Sequence, residues 1–306
     1  MEIVRDKQFD EYRGPETALA LGTFDGLHTG HQKVIDEAKK LASENFVASG
    51  VFSFTPHPRR VLNSGKGPGV ICSRRQKREM LAEMDLDYYF SQEFTRDFSR
   101  TEFEEFIKKI LWKKLKSRHL IVGEDFTFGY RGEGTCEDLR RFGKMLGFNV
   151  SIISAQKING EKISSTKIRN MISRGRVDRV PEFLGRYYTL AGEVIHGSGR
   201  GRELGYPTAN LRLEADYVLP RRGVYAGYVK HSGEKYRAAA NFGENPTFSE
   251  ENFRIEIYIL DLDEDLYGKR LSFCPVEFIR PEKKFNSIKR LRRTIESDIL
   301  YTKKVL

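Results

Sequence analysis

The hydrophobic and polar positions of this 306-residue chain follow two different patterns, one in each half. In the first half, short apolar runs alternate with segments whose apolar residues recur every three to four positions. Runs of the first kind are typical of buried strands, and segments of the second kind are typical of amphipathic helices. The alternation predicts an α/β fold with a parallel sheet and right-handed helical crossovers.

The individual elements of the first half are predicted from these patterns. The predicted strands are 17–21, 46–54, 87–90, 119–122 and 149–154. The predicted helices are 30–43, 73–84, 101–115, 135–146, 165–173 and 177–184. At the start of the third helix, Thr101 and Glu104 have the spacing of a capping box.

Beyond residue 185 the pattern changes to short strands separated by glycine and proline turns. The strands predicted there are 190–195, 224–229, 235–241, 253–260 and 270–278, followed by a helix at 287–306. Closely spaced strands of this kind favour a sandwich or a barrel. We therefore expect two domains, 1–185 and 186–306.

The composition indicates the class of protein and its expected cellular compartment. Hydrophobic residues make up 39% and charged residues 31% of the chain, which is ordinary for a globular protein. No stretch approaches the roughly 20 apolar residues that span a membrane, and the N-terminus lacks the apolar run of a signal peptide. Cys72, Cys136 and Cys274 form no CxxC pair, so we expect reduced thiols in a cytoplasmic protein.

The strongest local feature is the loop 22–31 (GTFDGLHTGH), which follows the first predicted strand. Ligands of open α/β sheets bind beyond the carboxyl ends of the strands. The helix that begins near Gly30 points N–H groups and its positive dipole end toward that edge. Gly30 leaves the backbone accessible to a phosphate, and His28 and His31 can donate hydrogen bonds to its oxygens. The loop thus predicts phosphate binding, although the chain has no Walker A motif.

Two other interpretations of this loop stay open on the residues alone. One is a surface turn that happens to contain two histidines. The other is a metal site, because His28 and His31 have a common ligand spacing. The metal interpretation lacks a third ligand beyond Asp25.

Three later segments accompany the loop: 54–58 (FTPHP), 122–129 (VGEDFTFG) and 163–169 (ISSTKIR). Hydroxyl groups at the start of a helix can hold a polyphosphate, and Arg169 can pair with a phosphate one turn later. Together with these segments, the loop resembles the GxFDGxHxGH signature of the FMN adenylyltransferase module of bacterial bifunctional riboflavin kinase/FAD synthetases.

This resemblance implies a Rossmann-like nucleotidylyltransferase domain in which FMN attacks the α-phosphorus of ATP and pyrophosphate leaves, assisted by Mg²⁺. It implies catalytic roles for His28 and His31. The implied ATP-binding residues are Gly22, Phe24, Asp25, Gly30, His31, Ser164, Ser165, Thr166 and Arg169. The implied FMN-binding residues are Pro56, His57, Pro58, Asp125, Phe126 and Phe128. On the residues alone, Asp125 can equally be a turn residue, and the two phenylalanines can be core.

The second half has its own candidate site. The segment 197–202 (GSGRGR) lacks the third glycine of a dinucleotide fingerprint, and no helix is predicted after it. It fits a flap over phosphates better. The PTAN run at 207–210 offers two hard oxygen ligands for Mg²⁺, Thr208 and Asn210, unless it is only a turn. In the alternating strand 253–259, Arg254, Glu256 and Tyr258 share one face, which by default is solvated.

The PTAN run, the strand with Glu256 and the segment 265–268 (DLYG) resemble the riboflavin kinase module of the same family, which implies an antiparallel β-barrel with a C-terminal helix. Glu256 would be the general base that accepts the proton of the riboflavin 5′-hydroxyl. The implied ATP-binding residues are Gly199, Gly201, Arg202, Pro207, Thr208 and Asn210, with Thr208 and Asn210 as metal ligands. The implied flavin-binding residues are Arg280, Glu282 and Phe285, and the segment 241–248 also resembles the family.

The expected function is therefore conversion of riboflavin to FMN and of FMN to FAD, with ATP as co-substrate. We expect a monomer or weak homo-oligomer without membrane or nucleic-acid partners. One rival is a nucleotidylyltransferase for another substrate with an accessory barrel, which the PTAN run and Glu256 argue against. Another is an RNA-binding protein, favoured by the net charge of +10. Its aromatic residues, however, form no recognisable RNA-binding module.

Overall fold

A computed structural model describes residues 1–65, 67–197, 199–244 and 253–306. The chain forms two compact units. The first unit contains Met1–Pro68 and Arg74–Ser164, and the second contains Gly69–Ser73 and Ser165–Leu306. The domain boundary near residue 185 stays a prediction. None of the helices in the described ranges is long and apolar enough to cross a bilayer.

The first unit is built on a six-stranded sheet in which every pair of neighbours is parallel, as predicted. The strand order is β1-β4-β3-β2-β5-β6. The strands are β1 (Glu2–Arg5), β2 (Thr17–Leu21), β3 (Ala48–Thr55), β4 (Tyr88–Glu93), β5 (Ser117–Gly123) and β6 (Asn149–Ile153). The sequence did not predict β1, because only Val4 of its four residues is buried.

Helices cover both faces of this sheet. They are α1 (Thr29–Asn45), α2 (Pro58–Leu62), α3 (Arg74–Ala82), α4 (Phe103–Glu105) and α5 (Cys136–Leu146). Short 3₁₀ turns lie at Asp6–Glu11, Phe98–Arg100 and Tyr130–Gly132, a π-helix continues α4 over Phe106–Lys114, and a small hairpin pairs β7 (Lys157–Ile158) with β8 (Glu161–Lys162).

The two apolar cores of the first unit lie on opposite faces of the sheet. Ala18 and Ala20 of β2 pack with α1, whereas Leu19 and Leu21 pack with the core that contains Phe106 and Leu111. Successive side chains of a strand point to opposite faces, so a strand that is covered on both sides has no polar position to spare. This explains the apolar run 18–21 of β2, and at the start of the strand the buried hydroxyl of Thr17 donates to the carbonyl of Leu115.

The predicted capping box of Thr101 and Glu104 is wrong. The helix begins at Phe103 with Glu102 as its N-cap, and no side chain caps it. Gly129 packs against this helix start, where a Cβ would meet the Cβ of Phe103 at 2.5 Å and its Cα at 2.7 Å. A capping box occurs instead at Thr135 and Asp138 before α5. The hydrogen bonds from Thr135 lower the pKa of Asp138.

The second unit contains a closed barrel, which decides between the two architectures that the strand pattern allowed. Its neighbours are all antiparallel, in the order β10-β13-β12-β11-β14-β9. The strands are β9 (Leu190–Ile195), β10 (Ala209–Leu213), β11 (Gly223–His231), β12 (Glu234–Glu244), β13 (Phe253–Ile259) and β14 (Arg270–Arg280). The helices are α6 (Ser165–Ser173), α7 (Val180–Leu184), α8 (Arg200–Glu203) and α9 (Ile288–Val305). The short helix α8 corrects the expectation that no helix follows the glycine-rich segment.

Helix α9 is attached to the barrel by a buried ion pair. The guanidinium of Arg280 on β14 donates to Asp298 on α9, with Nε–Oδ1 at 2.9 Å and Nη2–Oδ2 at 2.7 Å. The side chains of Arg280 and Asp298 are only 16% and 8% exposed. Because each group satisfies the other away from water, removal of one partner leaves an uncompensated charge.

We predict that Asp298→Ala lowers the free energy of unfolding by about 3–5 kcal/mol, since Arg280 would stay buried without its carboxylate. Urea denaturation measures this loss. The matched control is Glu193→Ala, which removes a carboxylate from an exposed pair with Arg212 and is expected to cost at most about 1 kcal/mol. Equal losses in the two variants would contradict the argument.

His119 on β5 is a buried polar group that the sheet does not satisfy. Its side chain is 6% exposed. Within the described ranges, its Nε2 has no hydrogen-bond partner. Burial, and secondarily the charge of Arg118, lowers the pKa of His119 below its usual value near 6.5. The folded protein therefore holds this imidazole neutral at a pH where the unfolded chain protonates it.

We predict that stability falls as the pH decreases below about 6.5, because the unfolded state then binds a proton that folded His119 resists. Above that pH, His119 contributes no pH dependence. Urea midpoints of the wild type and of His119→Leu are measured from pH 5 to pH 8. Toward pH 5, the midpoint of the wild type should decrease relative to that of the variant, because the variant has no histidine here to be protonated in the unfolded state. The exposed His196→Leu serves as the control and should leave the pH dependence intact. Parallel curves for the wild type and His119→Leu would refute this assignment.

Candidate active sites

The loop after β2 adopts a backbone conformation that few residues accept. Phe24 and Leu27 have φ values of 47° and 43°, and Gly26 between them has φ 81°. Such left-handed values cost free energy in residues other than glycine, so the surroundings must hold them. The ring of Phe24 is 1% exposed and packs edge-on against His31 at 5.3 Å. A Cβ on Gly22 would meet the Phe24 ring at 3.0 Å, so Gly22 makes room for it.

The two histidines of the loop lie together at the start of α1. His28 is the N-cap of the helix, and its Nδ1 accepts a hydrogen bond from the backbone N–H of His31 at 3.1 Å. The two rings stack at 3.5 Å with an interplanar angle of 16°. Since Nδ1 of His28 acts as an acceptor, its neutral form carries the proton on Nε2. The cap thus defines which nitrogen of His28 can donate to a ligand.

Gly30 and Asp25 complete the loop. A Cβ on Gly30 would lie 3.3 Å from the His28 ring, so glycine allows this imidazole to lie against the first turn of the helix. Asp25 is 3% exposed. Among the described residues, no group of three or more His, Cys, Asp or Glu side chains has the arrangement of a metal site. Backbone N–H groups at the start of a helix such as α1 can bind an anionic ligand.

The predicted FMN residues fall into two groups in the first unit. His57 caps α2 through Nδ1, which accepts from the N–H of Arg59 at 3.2 Å, and Pro58 is the first residue of that helix. Pro56 borders an open cleft of about 790 Å³ that Arg74 and Arg78 also line. Their contact with FMN stays a prediction.

The second group follows β5. Asp125 is exposed and pairs with Lys162, with Oδ2–Nζ at 2.9 Å. The rings of Phe126 and Phe128 stack at 5.6 Å. Phe128 is 5% exposed and belongs to the core, whereas Phe126 is half-buried at its edge. Of the two phenylalanines, Phe126 therefore has more surface to offer a flat ring.

The serine-rich helix α6 begins at Ser165, as predicted. Ser164 lies in the first unit, whereas Ser165, Thr166 and Arg169 lie in the second. Arg169 is 8% exposed, and its Nε donates to the carbonyl of Gly69 at 2.9 Å. Part of its guanidinium thus supports the segment Gly69–Ser73, and its role toward phosphate stays a prediction.

The barrel brings two of the predicted kinase residues together. Asn210 on β10 lies directly opposite Glu256 on β13 in the register of the sheet. Arg254 connects them: its Nε donates to Oδ1 of Asn210 at 2.9 Å, and its Nη2 pairs with the Glu256 carboxylate. The sequence placed Arg254 only on a polar face and missed this bridging position. Its spacing of two residues from Glu256 was the available signal, because such residues share a face.

The glycine-rich segment lies against the PTAN run. A Cβ on Gly197 would meet the Asn210 amide at 2.1 Å, and one on Gly201 would lie 3.0 Å from the Thr208 hydroxyl. The backbone N–H of Tyr206 donates to the carbonyl of Gly201 at 2.8 Å. Gly199 has φ 75°, and Arg202 and Pro207 are exposed. The predicted phosphate segment and the predicted metal ligands are therefore neighbours. Ser198 lies outside the described residues.

The predicted flavin residues lie after β14. The Arg280 guanidinium is engaged by Asp298 and lies 5.9 Å from the centroid of the Phe285 ring. Glu282 approaches Gly243, where a Cβ would meet its Oε1 at 2.4 Å. This contact brings Glu282 to the segment 241–248, of which residues 245–248 lie outside the described residues. Arg280 has a structural role in addition to any contact with the flavin.

These features define a class of protein. A helix capped by histidine follows the central strand of a parallel sheet, and a separate barrel carries a carboxylate beside hard oxygen donors. Both arrangements suit the handling of nucleotide phosphates. The chain is in this respect a nucleotide-dependent transferase with two units.

Comparisons with known proteins identify the family. The family model described as FAD synthetase matches residues 11–167, and the one described as riboflavin kinase matches residues 184–306. A bifunctional riboflavin kinase/FMN adenylyltransferase of Listeria monocytogenes is 38% identical over 291 residues, covering 94% of this chain and 92% of the relative. The protein of the same name from Bacillus subtilis is 35% identical, with coverage of 92% and 90%.

A solved structure supports the fold over nearly the whole chain. It is a crystal structure from Streptococcus pneumoniae described as a macrolide-efflux protein, with a TM-score of 0.89 and 30% identity over 99% of both chains.

The chain belongs to the bifunctional riboflavin kinase/FMN adenylyltransferase family. Its two activities are riboflavin kinase and FAD synthetase, with ATP, riboflavin and FMN as substrates. Enzymes of this kind generally use a divalent metal. The resemblance inferred from the sequence motifs is thereby confirmed.

Proposed function

We propose that the chain makes FAD from riboflavin in two steps at two separate sites, with FMN adenylylation in residues 1–185 and riboflavin phosphorylation in residues 186–306. The observation that carries the proposal is that Asn210 on β10 lies opposite Glu256 on the neighbouring strand β13. An accessory barrel would not need a carboxylate beside a predicted phosphate segment. Two sites also account for two unrelated phosphate-handling segments in one chain.

In the kinase step, Glu256 is the general base. Its carboxylate accepts the proton of the riboflavin 5′-hydroxyl while that oxygen attacks the γ-phosphorus of ATP, and ADP leaves. Arg254 orients the carboxylate through their ion pair and is itself held by Asn210. Gly199, Gly201 and Arg202 cover the phosphates, and Arg280, Glu282 and Phe285 hold the flavin.

In the adenylylation step, a phosphate oxygen of FMN attacks the α-phosphorus of ATP and pyrophosphate leaves. The chain forms no covalent intermediate, so positioning and charge stabilisation supply the catalysis. His28 donates through Nε2–H, because its Nδ1 is used in the helix cap. His31 contributes a further donor, and the N–H groups at the start of α1 face the phosphates.

We further propose Mg²⁺ as the metal of the kinase step, held by Thr208 and Asn210. The donor set fits this ion, because both side chains offer neutral, hard oxygens and are only two residues apart at the start of β10. Oδ1 of Asn210 accepts one hydrogen bond from Arg254 and has a second lone pair left. Mg²⁺ would supply charge neutralisation of the ATP phosphates.

The proposed setting is the cytoplasm, with the protein as a monomer or weak homo-oligomer. The three cysteines are buried, and none of them forms a disulfide with another described residue, which supports a reducing environment. We propose no nucleic-acid or membrane partner, and we assign the basic charge of the chain to its phosphorylated substrates.

The first test separates the two steps by substitution. We predict that Glu256→Gln slows FMN formation at least 100-fold, since general-base catalysis contributes about 10²–10⁴-fold, and leaves FAD formation from supplied FMN unchanged. His31→Ala should do the reverse, with a loss of about 100-fold in FAD formation. The flavins are separated chromatographically after incubation with ATP and Mg²⁺. Glu193→Gln, an exposed carboxylate on the same barrel, is the matched control for Glu256→Gln. Loss of both steps in either folded variant would rule out the two-site assignment.

The second test addresses the metal. We predict that Thr208→Val, which keeps the shape of the side chain and removes its oxygen, raises the Mg²⁺ concentration needed for FMN formation about tenfold or more. FAD formation from supplied FMN in the same preparation should keep its normal Mg²⁺ dependence. A titration of both reactions with Mg²⁺ after chelator treatment makes the comparison. An unchanged Mg²⁺ requirement for FMN formation would exclude Thr208 as a ligand.

A further inference from the structure

The loop 22–31, called the phosphate loop below, lacks a positively charged side chain. Residues 22–31 include no lysine or arginine, and they include one carboxylate, that of Asp25. The triphosphate of ATP is highly anionic, and loops that bind such groups usually pair them with a cationic side chain. If this loop holds ATP, as proposed above, a cation has to come from another element.

The first unit supplies such a cation beneath the loop. Lys77 projects from α3, and its Nζ donates to the backbone carbonyl of Thr23 at 2.6 Å. Its Nζ also lies 3.4 Å from Oγ of Ser53. The Ser53 hydroxyl, on β3, donates to the same carbonyl at 3.0 Å. Two donors from two elements thus converge on one carbonyl of the phosphate loop.

The position of that carbonyl matters for the shape of the loop. The Thr23 carbonyl belongs to the peptide group whose N–H is that of Phe24, the first residue of the loop with positive φ. Hydrogen bonds to this carbonyl fix the orientation of the peptide plane between Thr23 and Phe24, directly before the left-handed turn. Lys77 and Ser53 therefore hold the part of the loop that leads to Asp25, Gly26 and the histidines.

Lys77 differs from the other cations of its helix. Arg74, Arg75 and Arg78 are exposed, whereas Lys77 is half-buried. Arg75 forms an ion pair with Glu79. Within the described part of the chain, Lys77 has no carboxylate partner, and its Nζ contacts the Thr23 carbonyl and the Ser53 hydroxyl. Its charge is therefore not neutralised, and an ammonium group has three N–H donors.

We propose that Lys77 is a positioning residue for FMN adenylylation that also gives its positive charge to the phosphates of ATP. It sets the loop conformation through the Thr23 carbonyl and offsets the negative charge that the loop itself cannot compensate. This inference rests on the proposed role of the loop 22–31 in binding ATP. It adds to that loop a residue 46 positions beyond its end.

Three substitutions separate the two contributions. Lys77→Met removes the donor and the charge, Lys77→Gln keeps a donor without the charge, and Lys77→Arg keeps both. Arg75→Gln removes a positive charge from an exposed position of the same helix, away from the cleft at Pro56, and is the matched control. FAD formation from FMN is measured at varied ATP. The KM for FMN reports whether the first unit is folded, and FMN formation by the barrel reports the amount of active chain.

We expect Lys77→Met to lower kcat/KM for ATP about 100-fold and Lys77→Gln about tenfold, as for lost hydrogen bonds to a charged group. Lys77→Arg should stay within about threefold of the wild type, because it retains charge and donors. The KM for FMN and the rate of FMN formation should not change, and the Arg75→Gln control should keep wild-type kinetics. Inhibition by pyrophosphate should weaken in parallel with the effect on ATP.

Several results would overturn the inference. They are an unchanged kcat/KM for ATP in Lys77→Met, wild-type kinetics in Lys77→Gln, and equal losses of both activities in any Lys77 variant. The proposed function is tested separately by the wild type. If wild-type protein forms FAD, and His31→Ala does not, while the Lys77 variants are normal, only the role of Lys77 is wrong. If the wild type forms no FAD, the role of the loop itself is wrong and the inference falls with it.

Discussion

Strand β2 has an apolar layer on each side and no contact with water along its length. Alanines on one face allow α1 to pack closely, and leucines on the other face meet the larger aromatic core. This double burial fixes the direction of the strand and the residue at which it ends. The chain can turn only after Leu21, so Gly22 and the residues after it are delivered to the carboxyl edge of the sheet. The phosphate loop, the histidine cap and the contact from Lys77 all depend on that end point.

In the barrel, closure of the sheet positions the residues of the candidate kinase site. Asn210 and Glu256 are far apart in the sequence, and only the register between β10 and β13 makes them neighbours. Closure of the barrel fixes this register, because each strand is hydrogen-bonded on both sides and none is left free to slip. Arg254 uses the same register to reach both residues. Helix α9 adds a further restraint through Arg280 and Asp298 at the end of β14.

Much of this could be predicted from the sequence, and the successes have a common cause. β2, β9 and the start of α6 were predicted with their observed limits, because burial leaves a clear pattern in short segments. The parallel order of the first unit followed from the alternation of strands and helices. The edge strand β1 was missed, since a strand with one buried residue leaves almost no pattern. Gly129 packs against the helix start at Phe103, a tertiary contact that local capping rules do not contain.

In the candidate sites too, residues that act through tertiary contacts could not be predicted from local sequence patterns. Local motifs located the histidine loop and the PTAN run, because glycine, proline and hydroxyl residues constrain the backbone where they stand. They did not single out Arg254 or Lys77, which look like ordinary charged residues on polar faces until the tertiary contacts are known. The sequence also left open whether Phe126 and Phe128 are core, and burial separates them: Phe128 is core, and Phe126 lies at the edge.

His28 shows how one ring can tie architecture to chemistry. Its Nδ1 holds the first turn of α1, so only the tautomer with a proton on Nε2 is compatible with the cap. The same ring stacks on His31 at 3.5 Å, so its orientation is shared between the helix cap and the pair of imidazoles. A substitution of His28 would therefore remove a cap, a stacking partner and an Nε2–H donor together. In this protein, the local geometry of the loop and its hydrogen-bonding character cannot be changed independently.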